Sequence, residues 1–82
     1  MLFRLIRALY GKGGPGILRQ RAVNIAQDAC AIKGWPWKDP VQVSERLFDW
    51  YIYTNSSSRG GNVAFTIDRK TGEIMRSDFI KW

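Results

Sequence analysis

The chain has 82 residues, of which 45% are hydrophobic and 13% aromatic, and its formal net charge is +6. So short a chain buries roughly 60% of its surface on folding, which predicts one domain with one core, and the apolar content excludes intrinsic disorder. There is no histidine and one cysteine, Cys30, which excludes an intrachain disulfide and argues against a zinc site or a histidine-assisted nucleophile. We therefore predict a protein that is not an enzyme, with no catalytic residue, metal or cofactor.

The positive charge is concentrated in the N-terminal third. Residues 1–27 contain five basic residues and no acid, whereas residues 28–82 contain eight basic and seven acidic residues. The five basic residues are the candidate anion-binding set: Arg4, Arg7, Lys12, Arg19 and Arg21. Charge alone does not choose between nucleic acid, an anionic membrane surface and an acidic protein, and a solvated basic face is a further alternative.

Residues 1–10 predict a short basic helix, and residues 11–16, with four glycines and a proline, predict a flexible joint. The helix either packs on the domain or a partner, lies at a membrane interface, or stays disordered. It is too short to span a bilayer and no cleavage site follows it, so we expect a cytoplasmic protein and disfavour a membrane partner. The joint lacks the residue order of a phosphate-binding loop.

The main helix is predicted over residues 17–33. Apolar residues recur along it at helical spacing: Leu18, Ala22, Ile25, Ala26, Ala29 and Ile32. Its end is predicted at Gly34. Cys30 beside this stripe is interpreted as a small buried apolar residue rather than a reactive thiol.

Residues 34–40 connect the helix to the sheet and contain two tryptophans separated by a proline. Trp35 and Trp37 either form a rigid exposed platform for a ligand or peptide, or cap the end of the core beneath the helix. Both interpretations remain open at this point.

Four strands are predicted after this connection. The first covers residues 41–47, a turn follows at residues 48–49, and residues 50–54 form the second strand. Trp50, Ile52 and Thr54 share one face of that strand, and Tyr51 and Tyr53 share the other, so one aromatic face is expected to point outward.

Residues 55–61 form a polar loop that leads into a β-hairpin. Val63, Phe65 and Ile67 alternate with smaller or polar residues, residues 68–72 supply turn residues, and a second extended run begins at Glu73. The segment Ser56–Asn62, with three serines, an arginine and two glycines, is either an anion-binding concavity or simply a flexible link.

The run Gly60–Ile74 reads GGNVAFTIDRKTGEI. It resembles the hairpin of small bacterial α+β domains, namely PepSY-like domains and the NTF2-fold immunity proteins of toxin systems. The resemblance implies a non-catalytic binding or inhibitory role. A cystatin-like layout, with a helix across a sheet, fits the chain length better than a full NTF2-like cone.

Together these features predict an α+β fold in one domain, residues 1–82, with the main helix packed on a three- or four-strand antiparallel meander. The predicted function is a small protein-binding module, such as an immunity- or phage-type inhibitor. Its partner is expected to be another protein with an acidic surface, or a second copy in a homodimer. The alternatives are nucleic acid or an anionic membrane bound through the basic third, and a homodimeric structural protein. Since Trp, Tyr and Arg dominate interface energetics, the predicted partner-binding residues are Trp35, Trp37, Tyr51, Tyr53 and Arg59.

Overall fold

The computed structural model describes residues 16–81, which form one helix and four antiparallel strands. The elements are α1 (Arg19–Lys33), β1 (Gln42–Glu45), β2 (Asp49–Tyr53), β3 (Asn62–Asp68) and β4 (Ile74–Ile80). The strands lie side by side in chain order, and α1 packs mainly against β1, β2 and β3. The predicted α+β meander is confirmed. The predicted helix at residues 1–10, and all of the predicted joint except Gly16, lie outside the described residues.

Helix α1 begins at Arg19, two residues later than predicted, because Leu18, the residue before it, has an extended conformation. The backbone N–H of Ile17 donates to the carbonyl of Arg69 at 2.6 Å, and Leu18 has φ −84° and ψ 162°. The helix ends at Gly34 as predicted, in the left-handed conformation with φ 73°. The helix is not long and apolar enough to cross a membrane, and residues 16–81 contain no other helix.

The buried stripe of α1 is narrower than the sequence predicts. Ala22, Ala26 and Cys30, spaced four residues apart, are fully buried against the sheet. Leu18 and Ile32 were predicted on this stripe but are 73% and 86% exposed, so that part of the prediction is wrong. Leu18 precedes the helix, and Ile32 lies about 120° around the helix from Ala26 at 3.6 residues per turn.

The sheet supplies the larger side chains of the core. Ile52, Val63, Phe65 and Ile67 have no exposed surface, which confirms the predicted inward faces of β2 and β3. The indole N–H of Trp50 donates to the carbonyl of Ile17 at 3.3 Å, so the buried ring also ties the helix entry to the sheet.

The strand boundaries differ from the prediction at the first turn. Strand β1 is limited to Gln42–Glu45, and Asp49, predicted in the turn, is the first residue of β2. The turn lies at residues 46–48, where the N–H of Arg46 donates to the carbonyl of Asp49 at 2.8 Å. This closure leaves Leu47 and Phe48 at the tip, each 77% exposed.

The turn between β3 and β4 is organised by Asp68, as predicted from its position. The carboxylate of Asp68 accepts the backbone N–H groups of Lys70 and Thr71 at 2.8 and 3.0 Å, and the bonds from Thr71 and then Lys70 lower the pKa of that carboxyl from its ordinary value. Beyond the turn the register shifts, since Ile67 pairs with Ile74 but Thr66 pairs with Arg76. Met75 is therefore the extra residue of a β-bulge. The bulge changes which residues of β4 point to each face of the sheet.

Candidate functional site

One face of the sheet is covered by α1, and no described element packs on the other, which we call the open face. The strand register decides which side chains share it, because directly paired residues of antiparallel strands point the same way. The register pairs Tyr51 with Thr66 and Tyr53 with Ala64, and pairs Thr66 and Ala64 in turn with Arg76 and Asp78. The open face consists of these six residues together with Gln42 and Ser44 of β1 and Ile80 of β4.

The two tyrosines of β2 form an ordered row on this face. Their rings stack with centroids 6.4 Å apart and an angle of 14° between the planes. The guanidinium of Arg46 lies 4.9 Å from the ring centre of Tyr51 and also forms an ion pair with Asp49 at 2.6 Å. The row is therefore held in place before any ligand arrives, which lowers the entropy lost on binding.

A groove of about 530 Å³ runs beside this row and is called the central groove. Its floor is made by Ala64 and Thr66, whose short side chains leave a depression between larger neighbours. Tyr51 and Arg46 form one wall, and residues of β4 form the other. Arg76 and Asp78 on that wall pair at 2.8 Å, so their charges largely cancel.

A second concavity of about 250 Å³ lies where the open face meets the loop at residues 55–61, and we call it the loop-end concavity. It is lined by Tyr53, Ser58, Arg59, Gly60, Asn62 and Ile80. Two predicted partner-binding residues, Tyr53 and Arg59, thus meet at one place. Arg59 is exposed and makes no hydrogen bond or ion pair with any other residue of the described chain.

Two lysines extend the positive charge around this concavity. The Nζ of Lys38 lies beside Gly61, 3.8 Å from where a Cβ on that glycine would be. Lys81 follows Ile80, whose carbonyl accepts the N–H of Gly61 at 2.8 Å. Neither lysine forms an ion pair within residues 16–81, although Asp39 adjoins Lys38 in the chain. The loop end therefore carries three cations without a bound counter-charge in this part of the protein.

The loop itself is built on Asn62, which is 1% exposed. Its amide N–H groups donate to the carbonyls of Thr54 and Asn55 at 2.9 and 2.8 Å, and its carbonyl oxygen accepts the N–H of Gly60 at 2.8 Å. Since Gly61 donates to Ile80, both glycine N–H groups are already used. An anion bound at this loop would therefore contact side chains and not these two N–H groups.

The structure separates Trp35 and Trp37 from the other predicted partner-binding residues. Both tryptophans are half-buried and pack against the core on the covered side of the sheet. The ring of Trp35 lies 6.3 Å from that of Phe65 and 5.8 Å from that of Phe79, and Lys33 Nζ lies 5.1 Å from its centre. Of the two interpretations of this connection, the geometry matches the core cap.

The predicted anion-binding residues are described only in part. Arg19 and Arg21 are exposed on α1, on the opposite side of the molecule from the open face. Arg4, Arg7 and Lys12 lie outside the described residues. The described structure thus brings no predicted anion-binding residue to the open face.

Cys30 is buried, and its Sγ lies 3.2 Å from the carbonyl oxygen of Trp35. Burial raises the pKa of the thiol, which disfavours the thiolate form needed for nucleophilic chemistry. Within residues 16–81 no group of three His, Cys, Asp or Glu residues is placed to hold a metal ion.

Sequence reasoning missed the residues that β4 and the neighbouring turns bring to this face. These are Lys38, Arg46, Arg76, Asp78, Ile80 and Lys81. Arg76 and Asp78 lie on the same face as the tyrosines because of the bulge at Met75, and the sequence pattern does not predict that bulge.

Comparison of the chain with protein-family models, with curated proteins and with solved structures finds no match. The resemblance to PepSY-like domains and NTF2-fold immunity proteins therefore stays a prediction.

Proposed function

We propose that this chain is a small non-catalytic binding protein whose open face contacts an acidic surface of another protein. The observation that carries the proposal is the position of Arg59, exposed and without a partner in the described chain, beside Tyr53 and Ile80 at the loop-end concavity. Tyr and Arg are among the residue types that most often dominate interface energetics. Three unpaired cations at this end favour a partner with carboxylates.

A protein partner is favoured over nucleic acid because two other arginines of the open face and its edge already form ion pairs. Arg46 and Arg76 are each paired with a carboxylate on the same face, Asp49 and Asp78. These carboxylates would repel a phosphate backbone, and nucleic-acid binding relies on many uncompensated cations along one surface. One face of the Tyr51 ring is also covered by Arg46, which limits base stacking. An inhibitory role in the cytoplasm, as in the immunity proteins that the hairpin resembles, belongs to this proposal.

The first experiment places a photo-crosslinking residue, benzoylphenylalanine, at position 53 of the full chain. The matched control carries it at Gln27, which is exposed on α1. We expect the position-53 protein to form an adduct in extract of its source cells that protease removes and nuclease does not. An adduct at position 27 alone, no adduct at position 53, or a nuclease-sensitive adduct would each overturn the proposal.

The second measurement uses the captured protein as the binding probe. Arg59→Ala is expected to weaken binding about 30-fold or more, which corresponds to the threshold of about 2 kcal/mol for a hot-spot residue. The matched control, Arg21→Ala, removes the same charge from the exposed side of α1 and is expected to leave binding within about twofold. Equal losses from the two variants would mean that net charge, and not the loop-end concavity, determines affinity.

A further inference from the structure

Strand β4 is an edge strand whose outward side has no partner among residues 16–81. Ile80 directs its carbonyl toward the β3 side, where it accepts the N–H of Gly61 at 2.8 Å. The direction of backbone N–H and C=O groups alternates along a strand. Ser77 and Phe79 therefore direct these groups away from β3, to the unpaired edge of the sheet. A seven-residue edge of this kind is a template for another strand, whereas the opposite edge, β1, has only four residues.

The sequence of β4 is self-complementary about Ser77. Arg76 and Asp78, with opposite charges, flank the serine, and the apolar Met75 and Phe79 come next on either side. Arg76 and Asp78 both lie on the open face, since they pair with Thr66 and Ala64. An antiparallel partner with the same sequence therefore meets each charge with its opposite.

We propose that two copies of the chain associate through antiparallel pairing of β4 with β4, with the two-fold axis at Ser77. In this register the outward N–H and C=O of the two Ser77 residues bond to each other, and Arg76 of each copy lies opposite Asp78 of the other. Opposite charges directly across an antiparallel pair stabilise it. An axis at Arg76 or at Asp78 would place like charges together, so the charges select the register.

Apolar contacts at the ends of the paired segment add to this interface. Met75 is 61% exposed and Phe79 is half-buried, and the proposed register places each opposite the other across the two copies. The paired segment is short and buries less surface than an obligate dimer, so we expect a dissociation constant on the order of micromolar. The product is one continuous eight-stranded sheet whose two open faces lie side by side.

The register is tested with cysteines in the full chain. Ser77→Cys lies on the proposed axis, where paired Cα atoms are about 5.5 Å apart and within disulfide reach. Ile80→Cys is the matched control. In the proposed register, position 80 of one copy and position 80 of the other lie six residues apart along the paired strands, which separates them by about 20 Å. Under mild oxidation we expect the Ser77→Cys protein to form a covalent dimer at least about tenfold faster than the Ile80→Cys protein. Equal rates would overturn the proposed register.

The charge pairing is tested by light scattering over a concentration series. The wild-type chain is expected to approach twice its mass of 9.4 kDa. Arg76→Asp should raise the dissociation constant about tenfold or more, and the double exchange Arg76→Asp with Asp78→Arg should restore it. A monomer at every concentration, or an exchange that fails to restore association, would overturn the inference.

This inference does not rest on the proposed function, and the two fail separately. Ser77 pairs with Phe65 and so faces the covered side of the sheet, away from the tyrosines. Arg59→Ala is expected to weaken binding of the captured partner protein but to leave the dimer mass unchanged. An Arg59→Ala protein that becomes monomeric would contradict the assignment of the dimer contact to β4.

Discussion

At the scale of single residues, Asn62 holds the loop at residues 55–61 in its folded-back conformation. One buried amide closes the loop that carries Arg59, because it bonds to the backbone of residues 54, 55 and 60. Thr54, the residue after β2, supports it, because its hydroxyl accepts the N–H of Val63 at 2.9 Å. The loop-end concavity is thus positioned by hydrogen bonds within the loop and not by apolar packing.

Asn62→Ala is expected to lower the free energy of unfolding by about 2–3 kcal/mol. The change removes several hydrogen bonds and leaves the buried carbonyl of Thr54 without its amide donor, which costs more than losing an exposed bond. The measurement is equilibrium unfolding in urea. Ser57→Ala, an exposed change in the same loop, is the control and should alter stability by less than about 0.5 kcal/mol. Similar small losses from both variants would contradict the role of Asn62.

At the scale of elements, the entry to α1 is fixed by the turn between β3 and β4. Gly16 has φ +72°, and a Cβ on it would clash with the carbonyl oxygen of Arg69. Ile17 donates to that same carbonyl. Ile17, just before the helix, therefore adds a backbone contact to the hairpin, which the glycine-rich composition of residues 11–16 does not predict.

Gly16 and Gly34 provide a matched pair of substitutions. Their φ angles are +72° and +73°, but nothing lies within 4 Å of a Cβ placed on Gly34. Gly34→Ala is expected to cost about 1 kcal/mol, the penalty of a left-handed conformation alone. Gly16→Ala adds the clash with residue 69 and is expected to cost about 2–4 kcal/mol. Thermal and urea unfolding measure both, and equal costs would show that the contact between Gly16 and residue 69 is not maintained in solution.

At the scale of the whole molecule, the sheet separates two kinds of aromatic residue. Trp35, Trp37 and Trp50 lie on the side of the helix and complete the core, while Tyr51 and Tyr53 lie on the open face with Arg46. In our proposal, stability and partner recognition therefore depend on opposite sides of the sheet. The dimer that we infer would double the area of the recognition side without covering it.

This separation predicts that stability and binding respond to different aromatic residues. Trp35→Ala should lower the free energy of unfolding by about 2–3 kcal/mol, because the ring packs against Phe65 and Phe79 but is only half-buried. Tyr51→Ala should cost about 1 kcal/mol, the scale of one aromatic pair. At a temperature where both variants are folded, only Tyr51→Ala should weaken capture of the partner. Weaker capture of the partner by the folded Trp35→Ala protein would contradict this prediction and show that Trp35 contributes to binding.

The local sequence pattern was sufficient to predict the features that depend only on residues close together in the chain. The alternation in β2 and β3 predicted the buried face, the position of Gly34 predicted the helix end, and Asp68 predicted its turn, because each follows from backbone geometry over a few residues. The same reasoning placed Leu18 and Ile32 on the buried stripe incorrectly, since the width of that stripe depends on how α1 lies on the sheet.

The tertiary structure alone decided which candidate residues share a surface. Tyr53 and Arg59 come together because Asn62 folds the loop back, while Trp35 and Trp37 go to the other side because the chain leaves α1 on the core face. Arg76 and Asp78 reach the open face only through the bulge at Met75. The sequence by itself determined the elements and their inward faces. Strand register and loop closure act over long sequence separations, and they determined the candidate site.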